Sequence, residues 1–281
     1  MIKRVDLHLH TTASDGTDAP ETVLNKAINA KLAAIAITDH DTVDGYLQLK
    51  DKIDNCGIEV VPGIELSTKY NGPCHILGYY IDCNNDELRS TLAQIVIDRD
   101  ERNEKSIRVM QEDGINVTYA ELKERFGEVI GRPHLAEVLV ENGIVPDIKA
   151  AFAEYLSKGK KYWFPRTTLP LEKCIKLINK AGGVAVLAHP FEYKYNTEKT
   201  LAGLIEYCID NGIKGIECRH SSHSAGEMAY LERLADEYNL LKTGGSDYHG
   251  DPKPDISIGT GKGILSVPYD WFEKLKARAN K

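Results

Sequence analysis

About seven short runs rich in Val, Ile and Leu recur along the chain, at residues 5–10, 33–38, 58–62, 75–81, 183–188, 215–218 and 240–244. Most lead into a segment whose apolar residues fall at helical spacing. Strands separated by helices return in parallel, so this rhythm restricts the chain to an α/β fold built on a mostly parallel sheet or barrel. The first linking segment, P-E-T-V-L-N-K-A-I-N-A-K-L, opens with a proline as helices often do. Further helices are expected at residues 42–55, 169–181, 197–210, 224–238 and 270–279. A chain of 281 residues suffices for one barrel-sized domain or for a barrel with an insertion.

The rhythm breaks between residues 86 and 165, where charged helical segments such as D-E-L-R-S-T-L-A-Q-I and T-Y-A-E-L-K-E-R-F dominate. This stretch is expected to be a helical insertion that forms a lid, leaving residues 1–85 and 166–281 to build the barrel. The formal charge of −7 argues against a chain-wide basic surface for duplex nucleic acid. The six cysteines include no C-x-x-C pair, which suggests neither a disulfide framework nor a thiolate zinc site. The first run begins four residues in, and no apolar run approaches membrane-spanning length; the expectation is a cytoplasmic protein with no membrane partner.

Histidines and acids gather at the ends of these runs. In R-V-D-L-H-L-H the apolar residues alternate with polar ones, so His8 and His10 point the same way and can grip one metal ion. T-D-H-D carries His40 past the second run, G-I-E carries Glu65 past the third, V-A-V-L-A-H-P ends on His189, and G-G-S-D-Y-H-G brings Asp247 and His249. The ends of parallel barrel strands converge on one mouth. His75 opens its run, in C-H-I-L-G-Y-Y, and reaches the same mouth when that strand runs antiparallel.

The order and context of H-L-H, T-D-H-D, G-I-E, His75, A-H-P and S-D-Y-H resemble the PHP family, named for polymerase and histidinol phosphatase. The resemblance spans nearly the whole chain. It implies a distorted (β/α)7 TIM-like barrel holding two or three divalent ions at its C-terminal face. By similarity His8, His10, Glu65 and Asp247 hold one ion; Glu65, His75 and His189 a second; Asp15, His40 and His249 a third. Many relatives carry a histidine where this chain has Asp15, and the harder oxygen donor favours manganese or magnesium there. Imidazole and carboxylate ligands suit Mn²⁺, Zn²⁺ or Fe²⁺, with Mn²⁺ the first expectation.

Adjacent divalent ions acidify a shared water and neutralise phosphate oxygens, so phosphoester hydrolysis by a metal-bridging hydroxide is the expected reaction. Glu65 and Asp247 are then catalytic as well as metal ligands. His220 and His223, in E-C-R-H-S-S-H-S, could protonate the leaving group, with His220 the stronger candidate. Candidate phosphate donors lie in the insertion. Arg99 and Arg102 share a helix face, although neighbouring acids also suit them to an exposed ion-pair face. Arg132 and His134 stand at a Gly-Arg-Pro helix start that suits an anion. Lys158, Lys160, Lys161 and Arg166 flank Tyr162, Trp163 and Phe164, a mixture that could hold phosphate and stack a base, or pack the insertion onto the barrel.

The resemblance favours a nucleotide phosphate, such as a nucleoside 3',5'-bisphosphate. Cyclic phosphates and the ends of short oligonucleotides (by 3'-5' or 5'-3' exonuclease action) are the alternatives. A C–N amidohydrolase or a non-catalytic metal-binding module are readings of another class.

Overall fold

The computed structural model describes residues 3–127, 129–165, 168–193 and 198–280. Arg166 of the basic run, and Thr197 at the start of one expected helix, lie outside them. The strands are β1 (Arg4–Leu9), β2 (Ala34–Ile37), β3 (Glu59–Lys69), β4 (Pro73–Tyr79), β5 (Leu169–Pro170), β6 (Val184–Leu187), β7 (Gly215–His220), β8 (Leu241–Gly245) and β9 (Val267–Pro268). They form one sheet in the order β8-β7-β6-β4-β3-β2-β1-β9, with the two-residue β5 paired to β3.

Seven of these strands coincide with the seven apolar runs. β1, β2 and β3 pair in parallel, as do β6, β7 and β8, while β4 runs antiparallel to both neighbours. Beyond β8 the Asp247 N–H donates to the His8 carbonyl at 2.9 Å, and the His10 N–H donates to the Tyr248 carbonyl at 3.0 Å. These bonds bring the last parallel strand back to the first, giving a nearly closed, distorted barrel. Its core is apolar, with Leu7, Ala36, Ile64, Leu77, Val186 and Ile216 all buried.

The helices are α1 (Pro20–Asn29), α2 (Asp44–Leu47), α3 (Lys50–Ile53), α4 (Asp86–Glu112), α5 (Tyr119–Phe126), α6 (Arg132–Glu141), α7 (Ile148–Ala151), α8 (Leu171–Lys180), α9 (Glu198–Asp210), α10 (Ala225–Glu237) and α11 (Tyr269–Ala279). No described helix is long and apolar enough to cross a membrane. Leu88, Leu92 and Ile95 of α4 belong to the barrel core, whereas Ile107 and Met110 of the same helix join Leu122, Leu135, Leu139 and Leu156 in a separate apolar cluster. One helix therefore ties the helical segment to the barrel through two cores.

Two expectations are corrected. The helix expected at residues 42–55 is two short pieces, because bonds to the third residue back (Leu49 N–H to Tyr46 O, 3.0 Å; Lys52 N–H to Leu49 O, 2.8 Å) tighten the chain while Leu49 buries. The third run does not stop before Glu65: β3 leaves its parallel pairing with β2 at Pro62 and continues in antiparallel pairing with β4, from Gly63 to Lys69. Gly63 permits this crossing, since a Cβ there would stand 2.7 Å from the Ile37 carbonyl oxygen.

Candidate metal centre

His8 and His10 face the same way, and both side chains turn into the barrel mouth with no solvent exposure, on a strand whose two faces are both buried from Val5 to Leu9. Their Nε2 atoms lie 3.1 Å apart. Glu65 Oε2 stands 3.3 Å from His8 Nε2 and 3.2 Å from His10 Nε2, and Asp247 Oδ1 stands 3.6 and 3.2 Å from the same two atoms. Donors around a four-coordinate ion, each at about 2.0–2.2 Å, lie roughly 3.3–3.6 Å from one another. The four atoms occupy the positions that one ion would require.

Glu65 reaches further groups from the middle of β3. Its Oε1 lies 2.9 Å from both His75 Nδ1 and His189 Nε2, and its Oε2 lies 3.1 Å from His40 Nδ1. One carboxylate thus faces five imidazoles with its oxygens divided between two groups of them. Asp15 Oδ1 is 3.4 Å from His249 Nε2 and 3.8 Å from His10 Nδ1, and Asp15 Oδ2 is 4.0 Å from His40 Nε2. All nine residues expected as ligands therefore meet in one connected cluster at the mouth.

The donor set fits divalent cations on a second ground. His10 Nδ1, Asp15 Oδ1, His40 Nδ1, His189 Nδ1 and His220 Nε2 are buried and form no well-directed hydrogen bond among the described residues, although each lies 3.1–3.8 Å from an acid or an imidazole of the site. Leaving such an atom unsatisfied costs about 1–3 kcal/mol, so this many in one place needs a compensating ligand. Three of the seven described non-glycine residues with positive φ stand at or beside the cluster, Asp41, His189 and Asp247, at 55°, 21° and 56°.

Burial pushes the Glu65 carboxyl up, but His40, His75 and His8 outweigh it and hold the group well below the ordinary carboxylate range. Asp247 is likewise held low against burial, by Lys253 and His249. For His10, burial is overcome by Asp247 and Glu65, which raise it to about 9, while burial takes His40 down to about 3. The acids at the centre are anionic, and His40 is a neutral imidazole with one nitrogen lone pair to offer.

Two supporting acids escaped the sequence reading. Glu217, fully buried on β7, accepts from His8 Nδ1 at 2.9 Å through Oε1 and from the His189 backbone N–H at 2.8 Å through Oε2. That bond places the His8 proton on Nδ1 and turns the Nε2 lone pair toward the cluster. Its one local signal is an acid inside the apolar run I-E-C. Asp39, the first acid of T-D-H-D, accepts from the Thr11 N–H (2.7 Å), Thr11 Oγ1 (2.8 Å) and Ser14 Oγ (2.7 Å), pinning the loop that carries Asp15. Glu217→Gln puts an amide N–H against one of its two donors; metal affinity is expected to fall roughly 10–100-fold. Equilibrium dialysis against graded Mn²⁺ checks this, and unchanged affinity would remove Glu217 from the role.

A cavity of about 450 Å³ opens on Asp15, His40 and His75, with Arg99, Arg102, Arg132, Lys158, Phe152 and Trp163 among its walls. Arg99 and Arg102 are buried, not an exposed ion-pair face, because α4 lays that side against the barrel; Arg99 pairs with the buried Asp41. Two expected phosphate donors are not on the wall. Lys161 points to Asp113, with its Nζ 2.6 Å from that carboxylate, and Lys158 stands in the cavity instead. His134 stacks on Phe126 with ring centroids 4.6 Å apart, and its Nδ1 accepts from the Gly131 N–H at 3.0 Å. Burial lowers its pKa to about 4, which makes it a neutral cap on α6.

His220 Nε2 lies 3.3 Å from Asp247 Oδ2, and its Nδ1 lies 3.2 Å from the Ser222 N–H and 2.7 Å from Ser222 Oγ. It adjoins the donor cluster and is not among the described residues that line this cavity. His223 is buried with its Nδ1 3.4 Å from the Cys218 carbonyl, and burial lowers its pKa to about 4.

Comparison with known proteins accords with this geometry. The family model for the PHP domain matches residues 6–164. Over 258 residues the chain is 34% identical to the 5'-3' exoribonuclease Rnm of Salmonella typhimurium, covering 90% of this chain and 87% of that protein. Over 277 residues it is 29% identical to the 3',5'-nucleoside bisphosphate phosphatase of Chromobacterium violaceum, covering 98% of this chain and 97% of the relative. The solved structure of a Bifidobacterium adolescentis protein, assigned as a metal-dependent phosphoesterase, matches 98% of this chain and 96% of its own with a TM-score of 0.86 and 27% identity. The chain belongs to the PHP domain family and is one of its metal-dependent phosphoesterases.

Proposed function

We propose that this chain hydrolyses the 3'-phosphoester of a nucleotide that also carries a 5'-phosphate, a nucleoside 3',5'-bisphosphate being the smallest such substrate. The observation that carries this reading is the cavity beside the donor cluster, whose lining combines guanidinium groups and aromatic rings. Arg102, Arg132 and Lys158 suit a phosphate that is held but not cleaved, since a guanidinium forks onto phosphate oxygens. Phe152 and Trp163 offer faces on which a base can stack. The segment 86–165 acts as the lid that brings these groups over the barrel.

His8, His10, Glu65 and Asp247 would hold one ion, Glu65, His75 and His189 a second, and Asp15, His40 and His249 a third. The count of oxygen donors, with Asp15 at the third position, favours Mn²⁺. When bound, the ions supply a hydroxide nucleophile at neutral pH and neutralise phosphate oxygens. Glu217 and Asp39 keep the ligands oriented, and Arg132 and Lys158 place the nucleotide so that its 3'-oxygen leaves into the cavity.

A second reading, exonucleolytic removal of nucleotides from a 5'-phosphorylated RNA, is favoured by the similarity to exoribonuclease Rnm. It breaks the same 3'-oxygen to phosphorus bond. The test is a panel assayed with Mn²⁺-loaded enzyme: nucleoside 3',5'-bisphosphate, cyclic phosphate, sugar phosphate and a short 5'-phosphorylated RNA. Nucleoside 5'-monophosphate is the expected product from the first and last members, with inhibition by inorganic phosphate. Turnover of C–N substrates without phosphate inhibition would replace this proposal with an amidohydrolase.

A further inference from the structure

A second cavity, of about 280 Å³, opens against the donor cluster from another side. Asp247 and His220 form its inner wall, with Ser222, Lys253, Lys262 and Glu192 around them. Among the described residues it shares no lining residue with the first cavity: Asp15, His40 and His75 face one, Asp247 and His220 face the other. Asp247 stands between, with Oδ1 toward His8 and His10 and Oδ2 toward His220 and Lys253. A phosphorus atom placed at the cluster therefore has room for a substituent on each side.

A site for a phosphomonoester needs one such space, because the terminal phosphate ends at the metals. A phosphodiester needs two. We propose, resting on the reading of the preceding subsection, that the second cavity receives the non-leaving substituent of the scissile phosphate, the sugar-phosphate backbone of an oligoribonucleotide downstream of the cleaved bond. In the bisphosphate, water adds to phosphorus, the bond to the 3'-oxygen breaks, that oxygen takes a proton, and inorganic phosphate is the second product. In the oligoribonucleotide the same bonds form and break, and the second product is the shortened chain bearing the 5'-phosphate. The two substrates differ only in what hangs from phosphorus on the Lys262 side.

The wall chemistry suits a backbone rather than a base. The first cavity has Phe152 and Trp163, whereas the described residues lining the second include no aromatic ring beyond His220 and so offer no platform for stacking. Its volume is near the lower end for ligand pockets, about 300 Å³, room for one sugar-phosphate unit. Lys253 is engaged by Asp247, while Lys262 is exposed and has no ion-pair partner among the described residues. Glu192 turns its carboxylate toward the cluster, 3.5 Å from His189 Nδ1, and Asp255 lies exposed at the rim. Pro252 and Pro254 bracket Lys253 and restrict that segment's backbone.

The test compares wild type with Lys262→Glu on two substrates, a nucleoside 3',5'-bisphosphate and a 5'-phosphorylated tetraribonucleotide. Charge reversal is expected to raise KM for the tetranucleotide roughly tenfold and to flatten its salt dependence, because one backbone phosphate contact is lost. KM for the bisphosphate is expected to stay within about twofold, since its phosphate does not reach that side. Equal changes for both substrates, or none for either, overturn the proposal. If wild type turns over neither, the nucleotide reading fails by itself. Anisotropy of a labelled tetraribonucleotide on metal-loaded enzyme then still decides whether Lys262 contacts the strand, and equal binding by wild type and variant overturns the subsite.

Discussion

His10→Ala and Asp247→Ala are expected to lower phosphoester hydrolysis by about 10³-fold or more, which corresponds to about 4 kcal/mol of lost transition-state stabilisation. Each side chain supplies a donor to the same four-atom group, with His10 Nε2 and Asp247 Oδ1 only 3.2 Å apart. Losing either leaves three donors and an ion bound more weakly and in the wrong place. Neither change removes barrel core, so cooperative thermal unfolding should persist. Metal content by elemental analysis is expected to fall in parallel with activity. Chelation of wild type should reproduce the loss, and added Mn²⁺ should restore wild type but not the variants. Full activity in either variant with its metal content intact would end the assignment of this cluster as the reaction centre.

Arg99→Met is expected to act on stability as well as on binding. Its guanidinium pairs with Asp41, which is buried and also accepts from the Ser67 N–H at 2.8 Å. Removing one member of a buried pair leaves an uncompensated charge, at a cost of about 3–5 kcal/mol. For a chain of this size that corresponds to a fall of roughly 6–20 °C in Tm. Asp41→Asn should cost less than Arg99→Met, and the double variant less than the sum, since the two share one interaction. Arg132 offers the contrast. It lines the same cavity, with its Nη1 3.3 Å from the Leu156 carbonyl and its guanidinium carbon 5.8 Å from the Phe152 ring centre. The comparison is read by differential scanning calorimetry beside KM: Arg99→Met moves both. An unchanged Tm for Arg99→Met would show that the α4 contact with the barrel does not depend on this pair.

The residues legible in the sequence were those whose placement follows from local periodicity. A two-residue period in the first strand put His8 and His10 on one face, and parallel strands brought His40, His189, Asp247 and His249 to a common mouth. His75, at the start of its run, required an antiparallel strand, and β4 is one. The family resemblance grouped these residues with Asp15 and Glu65. The structure brings all nine together, His189 through Glu65, with Glu65 inside β3 rather than beyond it.

What the sequence by itself determined was the alternation of apolar runs and helices, and with it the barrel and the direction of its histidine-bearing ends. These depend on which neighbours along the chain are apolar, a property that pleat and helical pitch translate directly into faces. Only the tertiary structure decided which polar residues are buried and what they meet. Glu217 and His8 are 209 residues apart, and Arg99 and Asp41 are 58 apart. The same separation in sequence hides why Lys158 reaches the cavity while Lys161 goes to Asp113. A charged side chain is placed by partners that arrive from distant strands, and no local period carries that information.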